Sequence, residues 1–147
     1  MDEKVKKAMF KRVSEEPFAQ KMNLQLVELD DGYSVVEMTF REDMENILGM
    51  AHGGAIFALI DEAFEMAGNS HGTVAVALNM NVTYTATASP GARLRAVAKE
   101  VNLTRRTATY DIRVTDENDK LIAVCSALVY RKKDPLPFLE SDGVEPD

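Results

Sequence analysis

The sequence predicts an α+β fold in which an antiparallel β-sheet wraps round one long central helix. Residues 54–68 are apolar nearly all round, which is typical of a helix buried on most of its sides. Two segments before this helix and four after it have the length and the turn residues of β-strands. Wrapping the sheet round the helix is the simplest arrangement that buries the apolar side chains of both.

The elements before the central helix are a helical segment and a hairpin. Apolar residues recur at helical spacing in residues 1–22 until Pro17 interrupts them, so we expect an amphipathic helix that covers a sheet edge or a pocket. Residues 24–29 and 33–40 predict two strands, and the turn at residues 30–32 joins them into a hairpin.

Four strands are predicted after the central helix. In residues 74–86 apolar side chains alternate with small or polar ones, which predicts one buried face. The other predicted strands are residues 94–103, 107–115 and 121–130. The last of these is apolar on both faces, as expected of an inner strand covered on both sides.

The chain is expected to have three parts. Charges and three prolines from residue 131 onwards predict little structure. We therefore expect an N-terminal helical segment (1–22), the α+β domain (23–131) and a flexible acidic C-terminal tail (132–147).

The composition argues against several classes of protein. The net charge of -7 disfavours a nucleic-acid partner, because binding phosphates requires a basic surface. Two histidines and one cysteine are too few for an ordinary zinc site, so no metal ligand is assigned, although carboxylate sites are not excluded. No stretch approaches the roughly 20 apolar residues that span a bilayer, and the N-terminus lacks the apolar run of a secretion signal. We expect a cytoplasmic protein without a membrane partner.

The chemically informative stretch is residues 46–72. Asp61 lies in the apolar helix, and no lysine or arginine occurs between Glu42 and Arg93. A carboxylate in such a place costs free energy unless it is partnered or opens on a cavity, which favours a catalytic role over a structural one. Before the helix, the sequence His52-Gly53-Gly54 can expose backbone N–H groups at the positive end of the helix dipole. Such groups bind anions or a developing oxyanion.

The central stretch resembles that of the acyl-CoA thioesterases of the phenylacetate-degradation (PaaI-like) type, which have the hotdog fold. The residues that carry this resemblance are Asn46, Gly49, His52, Gly53, Gly54, Phe57, Leu59, Asp61 and Ala63. The resemblance implies hydrolysis of an acyl- or aryl-acyl-CoA thioester, with Asp61 as nucleophile or general base. It also implies a backbone N–H near Gly53 and Gly54 that polarises the thioester carbonyl, and active sites between two subunits. No cofactor is expected, since coenzyme A is part of the substrate.

Several further residues have alternative interpretations. Asn46 matches the asparagine of the family and either contacts the ligand or stiffens its loop. His52 either orients the loop by hydrogen bonding or acts as a general base. Some members of the family use a serine or threonine early in the strand after the helix, and the nearest candidate here is Asn79. Glu62 and Glu65 are interpreted as solvent or interface charges.

Coenzyme A carries phosphates, so local basic residues must offset the acidic net charge of the protein. The candidates are Arg93, Arg95, Lys99, Arg105 and Arg106. The pair Arg105-Arg106, in a predicted turn, is the best single candidate. Gly91, in a Pro90-Gly91 pair that also matches the family, is assigned to substrate binding as well.

The spacing within the central helix predicts an oligomer. Gly54 and Asp61 are seven residues apart, hence about 10 Å along the helix axis, which an aspartate side chain cannot bridge. If both act on one thioester, they come from different chains, so we expect at least a dimer with antiparallel central helices, and a tetramer of two dimers. The alternative function is a non-catalytic acyl-CoA-binding or sensing module of the same fold, which would bind without turnover.

Overall fold

The structure, a computed structural model, describes residues 1–139. The helices are α1 (Glu3–Glu15), α2 (Pro17–Met22) and α3 (Gly53–Asn69). The strands are β1 (Gln25–Asp30), β2 (Tyr33–Thr39), β3 (Thr73–Tyr84), β4 (Arg93–Leu103), β5 (Thr107–Thr115) and β6 (Leu121–Pro135). Short 3-10 helices lie at Glu42–Met44 and Pro137–Leu139. The α+β fold predicted from the sequence is confirmed.

The six strands form one sheet that packs against α3. The strand order is β1-β2-β4-β5-β6-β3, and every neighbouring pair is antiparallel. Leu59, Ile60 and Phe64 of α3 are at most 1% exposed. The ring of Phe64 packs edge to face on that of Tyr110 on β5, with the ring centroids 5.5 Å apart. Burying a large apolar side chain in this way stabilises the fold by about 1.5–3 kcal/mol.

Helix α3 runs slightly beyond its predicted end. The sequence predicts a helix over residues 54–68, whose C-terminal glycine favours a stop there, but Asn69 still belongs to the helix. Its side chain accepts a hydrogen bond from the N–H of Ala75 (2.8 Å), which ties the helix end to the start of β3. The chain reverses at Gly72, whose φ of +80° is readily adopted by glycine. Among residues 1–139, no helix combines the length and apolar character needed to cross a bilayer.

Strand β3 lies at an edge of the sheet, and its predicted apolar face is only partly buried in the single chain. Val74, Met80 and Val82 on that face pack against the core. Val76 and Leu78 are 38% and 58% exposed. The register of β3 against β6 shifts at two places, which interrupts the alternation that the sequence suggests. An exposed, apolar edge strand of 12 residues is a site where another strand can pair.

Strand β6 lies between β5 and β3, which confirms the predicted inner strand. It is longer than predicted, since it continues to Pro135, and Leu136 after it is only 3% exposed. The predicted flexible tail is therefore wrong for residues 132–139, because strand pairing and burial order them. Residues 140–147, the rest of that predicted tail, lie outside the described part of the chain.

Candidate active site

Asp61 lies in the middle of α3, on the side of the helix that faces β3. It borders a cavity of about 210 Å³ whose other walls include Phe64 and Glu65 on α3, residues 75–77 on β3 and Val129 on β6. Burial raises the pKa of the Asp61 carboxyl, because desolvation penalises its charged form. A half-buried carboxylate at the wall of a cavity can act on a group that binds there.

The turn before α3 is held by His52. Its Nδ1 accepts a hydrogen bond from the N–H of Gly54 (2.9 Å), so His52 caps the helix. A ring nitrogen that accepts carries no proton, so Nε2 is the ring nitrogen left to donate in this arrangement. This geometry fits the interpretation in which His52 orients the loop by hydrogen bonding. It also engages the N–H of Gly54, which is therefore not available as the carbonyl donor that the sequence suggested.

Gly53 provides the remaining backbone donor. It is the first residue of α3, and its N–H has no acceptor among residues 1–139. Its carbonyl accepts a hydrogen bond from the Tyr84 hydroxyl (3.0 Å), which holds the peptide against the end of β3. A Cβ at Gly53 would lie 3.3 Å from the Tyr84 ring, so this position favours glycine. Since the first N–H groups of a helix point out along its axis, Gly53 can donate to a negative oxygen.

Asn46 organises the loop that leads to this turn. Its Oδ1 accepts hydrogen bonds from the N–H groups of Leu48 (2.9 Å) and Met50 (3.1 Å). Both bonds use the oxygen, so the amide nitrogen has its two hydrogens left for a ligand. Asn46 therefore stiffens the loop and keeps a donor available, so its two interpretations are compatible.

Gly53 and Asp61 do not meet within one chain. They are eight residues apart on α3, about 12 Å along its axis. Phe57, one turn from each on the same side of the helix, is 37% exposed, and Leu78 on β3 is 58% exposed. Donor and carboxylate are thus separated by apolar surface that residues 1–139 leave open.

The structure narrows the set of basic residues available for phosphates. Arg93 and Arg95 form salt bridges with Glu37 (2.9 Å each), and Arg95 also binds another carboxylate of the sheet. These two arginines therefore hold strands together. Lys99, Arg105 and Arg106 form no salt bridge within residues 1–139, which leaves the Arg105-Arg106 turn as the best candidate.

Gly91 and Asn79, which the sequence assigned to substrate binding, lie away from the Arg105-Arg106 turn. Gly91 precedes β4 and Arg105 follows it, so about 35 Å of extended strand separates them, and one chain does not bring them to the same ligand. Asn79 is exposed on the edge strand β3, just beyond the residues that border the Asp61 cavity.

Arg131 was missed by the sequence analysis because it fell at the predicted end of the domain. Its N–H donates to the carbonyl of Arg106 (2.7 Å), and its guanidinium donates to the carbonyl of Thr104 (2.8 Å). It follows Val129, a wall of the Asp61 cavity, by two residues on β6 and so lies on the same face of the sheet. The signal in the sequence was the run Arg131-Lys132-Lys133, which continues a strand.

Glu62 was also misinterpreted. Its side chain is only 3% exposed, whereas the sequence predicted a charge in contact with solvent or at an interface. Burial, with the neighbouring charges of Glu16, Glu65 and Asp61, raises the pKa of Glu62 to about 8. Position on a helix alone could not reveal this, because the residues that cover Glu62 are distant in sequence.

Comparisons with known proteins identify the family to which the chain belongs. The model of the thioesterase superfamily matches residues 48–123. A provisionally named esterase of Archaeoglobus fulgidus is 39% identical over 93% of this chain and 87% of its own length. The acyl-coenzyme A thioesterase PaaI of Escherichia coli K12 is 32% identical over 72% of this chain and 76% of its own length.

Solved structures show the same architecture. The structure of Escherichia coli PaaI superposes with a TM-score of 0.86 at 27% identity, covering 90% of this chain and 96% of that one. A structure from Streptococcus mutans UA159, bound to acetyl CoA, superposes with a TM-score of 0.74 at 25% identity, covering 78% of this chain and 92% of that one.

Proposed function

Because the chain belongs to the thioesterase superfamily and is an acyl-CoA thioesterase of the PaaI-like type, we propose that it hydrolyses an acyl- or aryl-acyl-CoA thioester to the free acid and CoA. The observation that carries this proposal is Asp61 at the wall of the cavity between α3 and β3. The unbonded N–H of Gly53 is the second element, since a thioester needs an oxyanion donor and a means of delivering a nucleophile.

The chemistry has two forms that use the same residues. As a general base, Asp61 takes a proton from water while the water oxygen attacks the carbonyl carbon. As a nucleophile, Asp61 attacks that carbon itself, and water then hydrolyses the resulting anhydride. In both forms the negative charge on the carbonyl oxygen is stabilised by the N–H of Gly53. Breaking of the C–S bond gives the free acid in the first form and the anhydride in the second, and the CoA thiolate leaves and takes up a proton.

A second copy of the chain completes the site. Gly53 and Asp61 of one chain are about 12 Å apart, so we assign the donor to one chain and the carboxylate to its partner. Pairing of the β3 edges of two chains would make one continuous sheet and place their α3 helices antiparallel. It would also cover Leu78 and Phe57, which the single chain leaves exposed. The tetramer of two such dimers stays a prediction.

The CoA phosphates are assigned to the turn between β4 and β5. Arg105 and Arg106 are exposed there and form no salt bridge to the other residues of 1–139, and Arg131 lies beside them through its hydrogen bonds to Thr104 and Arg106. Arginine suits phosphate because its planar guanidinium can donate two parallel hydrogen bonds. The three arginines form a local basic surface on the acidic protein. It lies beside the C-terminal part of β6, which follows Val129.

Thiol release from a panel of acyl-CoA substrates tests the reaction. The panel is acetyl-, hexanoyl-, lauroyl-, palmitoyl-, phenylacetyl- and benzoyl-CoA. We expect turnover of at least one member, and the ranking of kcat/KM identifies the acyl group that the cavity accepts. Tight binding of these compounds without release of thiol from any of them would contradict hydrolysis and favour the non-catalytic binding module.

Replacing Arg105 and Arg106 together by alanine should raise KM for the best acyl-CoA at least about tenfold, because even one charge-assisted hydrogen bond to phosphate, at about 1.5 kcal/mol, corresponds to that factor. The KM for the matching N-acetylcysteamine thioester, which lacks the phosphates, should stay unchanged. Arg113→Ala, at an exposed arginine on β5, is the matched control. Equal rises in KM for both substrates would show that the turn does not bind the phosphates.

A further inference from the structure

Three carboxylates meet where the junction of α1 and α2 touches α3. One oxygen from each of Glu16, Glu62 and Glu65 lies within 4.8 Å of the other two. Glu62 and Glu65 are one helical turn apart on α3, and Glu16 is the residue between α1 and α2. We call these three residues the carboxylate cluster. The fold thus places three acidic groups from distant parts of the sequence in one site.

Glu62 is the buried member of the carboxylate cluster. The residue is 3% exposed, and its Oε1 has no hydrogen-bond partner among residues 1–139. An unpaired carboxyl oxygen in the interior costs free energy, and native proteins rarely leave one without a ligand, a water or a counter-charge. The same carboxyl group contributes one oxygen to the cluster, so a cation bound there would also be held by Glu62.

The described part of the protein supplies no direct counter-charge. No salt bridge joins a member of the carboxylate cluster to a lysine or arginine within residues 1–139. Arg12 is a basic residue close to the cluster, since it borders an adjoining cavity of about 330 Å³ together with Glu16 and Glu65. It attracts Glu16 without forming a salt bridge to it. Repulsion among the three carboxyl groups is therefore not offset by a salt bridge within residues 1–139, and a bound cation would hold them in their charged form.

We propose that Glu16, Glu62 and Glu65 bind a hard divalent cation, Mg²⁺, Mn²⁺ or Ca²⁺. These cations prefer carboxylate oxygens at about 2.0–2.6 Å, so the oxygens round one ion are about 3–5 Å apart, as they are here. Three carboxylates with water at the remaining positions form an ordinary site for such an ion. The cation satisfies Glu62 and fastens the α1–α2 junction to α3, one residue from Asp61.

Thermal unfolding of the full chain tests the site independently of catalysis. The protein is freed of metal with EDTA, dialysed, and titrated with MgCl₂, MnCl₂ or CaCl₂ at constant ionic strength. At saturation, at least one of these salts should raise Tm by about 3–8 °C, because a ligand that binds only the native state stabilises it. Electron paramagnetic resonance of Mn²⁺ should count one bound ion per chain.

Two variants and a matched control locate the site. Glu16→Gln should abolish the rise in Tm, whereas Glu15→Gln, which removes the same charge from the exposed adjacent residue of α1, should retain it. Glu62→Gln should not lower Tm in EDTA, since the amide has the shape of the buried carboxyl and does not repel Glu16 and Glu65, and it should show no rise with cation.

Three results would overturn the proposal. One is a wild-type Tm that none of the three salts changes. Another is an equal rise in Glu16→Gln, which would place the ion elsewhere. The third is an equal rise with NaCl at matched ionic strength, which would show that screening, rather than coordination, stabilises the protein.

Discussion

Replacing Asp61 by asparagine is expected to lower kcat/KM for the best acyl-CoA at least about 100-fold. Asparagine keeps the shape of the side chain but can neither take a proton from water nor attack the thioester, and positioned bases contribute about 10²–10⁴-fold. KM should change little, because the cavity walls are retained. Thiol release by wild type and variant, measured on the same acyl-CoA, gives the ratio.

The control for this variant is Asp119→Asn. Asp119 is an exposed aspartate in the turn before β6 with a φ of +60°, a conformation that asparagine tolerates well. It should keep full activity. Unchanged kcat/KM in Asp61→Asn, with the fold verified by circular dichroism, would remove Asp61 from the mechanism. A single turnover of wild type in H₂¹⁸O tests for direct attack, since ¹⁸O in the Asp61 carboxylate shows that an anhydride formed and that water added to its Asp61 carbon.

Replacing Gly53 by proline is expected to lower kcat about 100- to 1000-fold, the usual effect of removing one oxyanion donor. Proline removes the N–H while fitting the backbone, because Gly53 is the first residue of α3. The extended conformation of His52 before it (φ -62°, ψ 132°) is the one that proline requires of its predecessor. Gly53→Ala, which crowds Tyr84 in the same way but keeps the N–H, is the matched control.

Mixing the two inactive chains tests whether the site is shared. If Asp61 of one chain acts with Gly53 of its partner, a dimer of one Asp61→Asn chain and one Gly53→Pro chain contains one intact site. Random pairing makes half of the dimers mixed, so activity should return to about one quarter of the wild-type value after co-expression.

Absence of recovery in dimers shown to be mixed would contradict the shared site. It would require that Asp61 and its oxyanion donor act within one chain. Full loss of activity in Gly53→Ala, whose N–H is intact, would instead point to the crowding of Tyr84 as the cause of inactivity in Gly53→Pro.

Local patterns in the sequence predicted the elements of the fold well. Period-two alternation and turn residues located every strand within a few residues, and the apolar stretch located α3. These signals are short-range, since they arise from backbone preferences and from which side of an element meets the core. The errors were at the ends, where Asn69 and residues 131–135 continue an element through contacts with other strands.

The candidate site was predicted unevenly. Asp61 and the glycine turn stood out because a carboxylate in an apolar helix and paired glycines before it are unusual in any sequence. The sequence could not tell whether Gly53 or Gly54 has the backbone N–H that is available as the oxyanion donor. The N–H of Gly54 is engaged by the His52 ring, and that hydrogen bond depends on the rotamer of His52. Nor could it separate Arg95, which Glu37 holds on a neighbouring strand, from Arg105, which has no salt bridge within the described residues.

The sequence by itself determined the fold class, the central helix and the residues with the chemistry for hydrolysis, because these follow from periodicity and residue type. Tertiary structure alone decided that β3 is an open edge and that Arg131 joins the Arg106 turn. It alone also decided that Glu16 and Glu65 meet round the buried Glu62. Burial, pairing and proximity depend on residues far apart in the chain, and a pattern read along one sequence does not contain those distances.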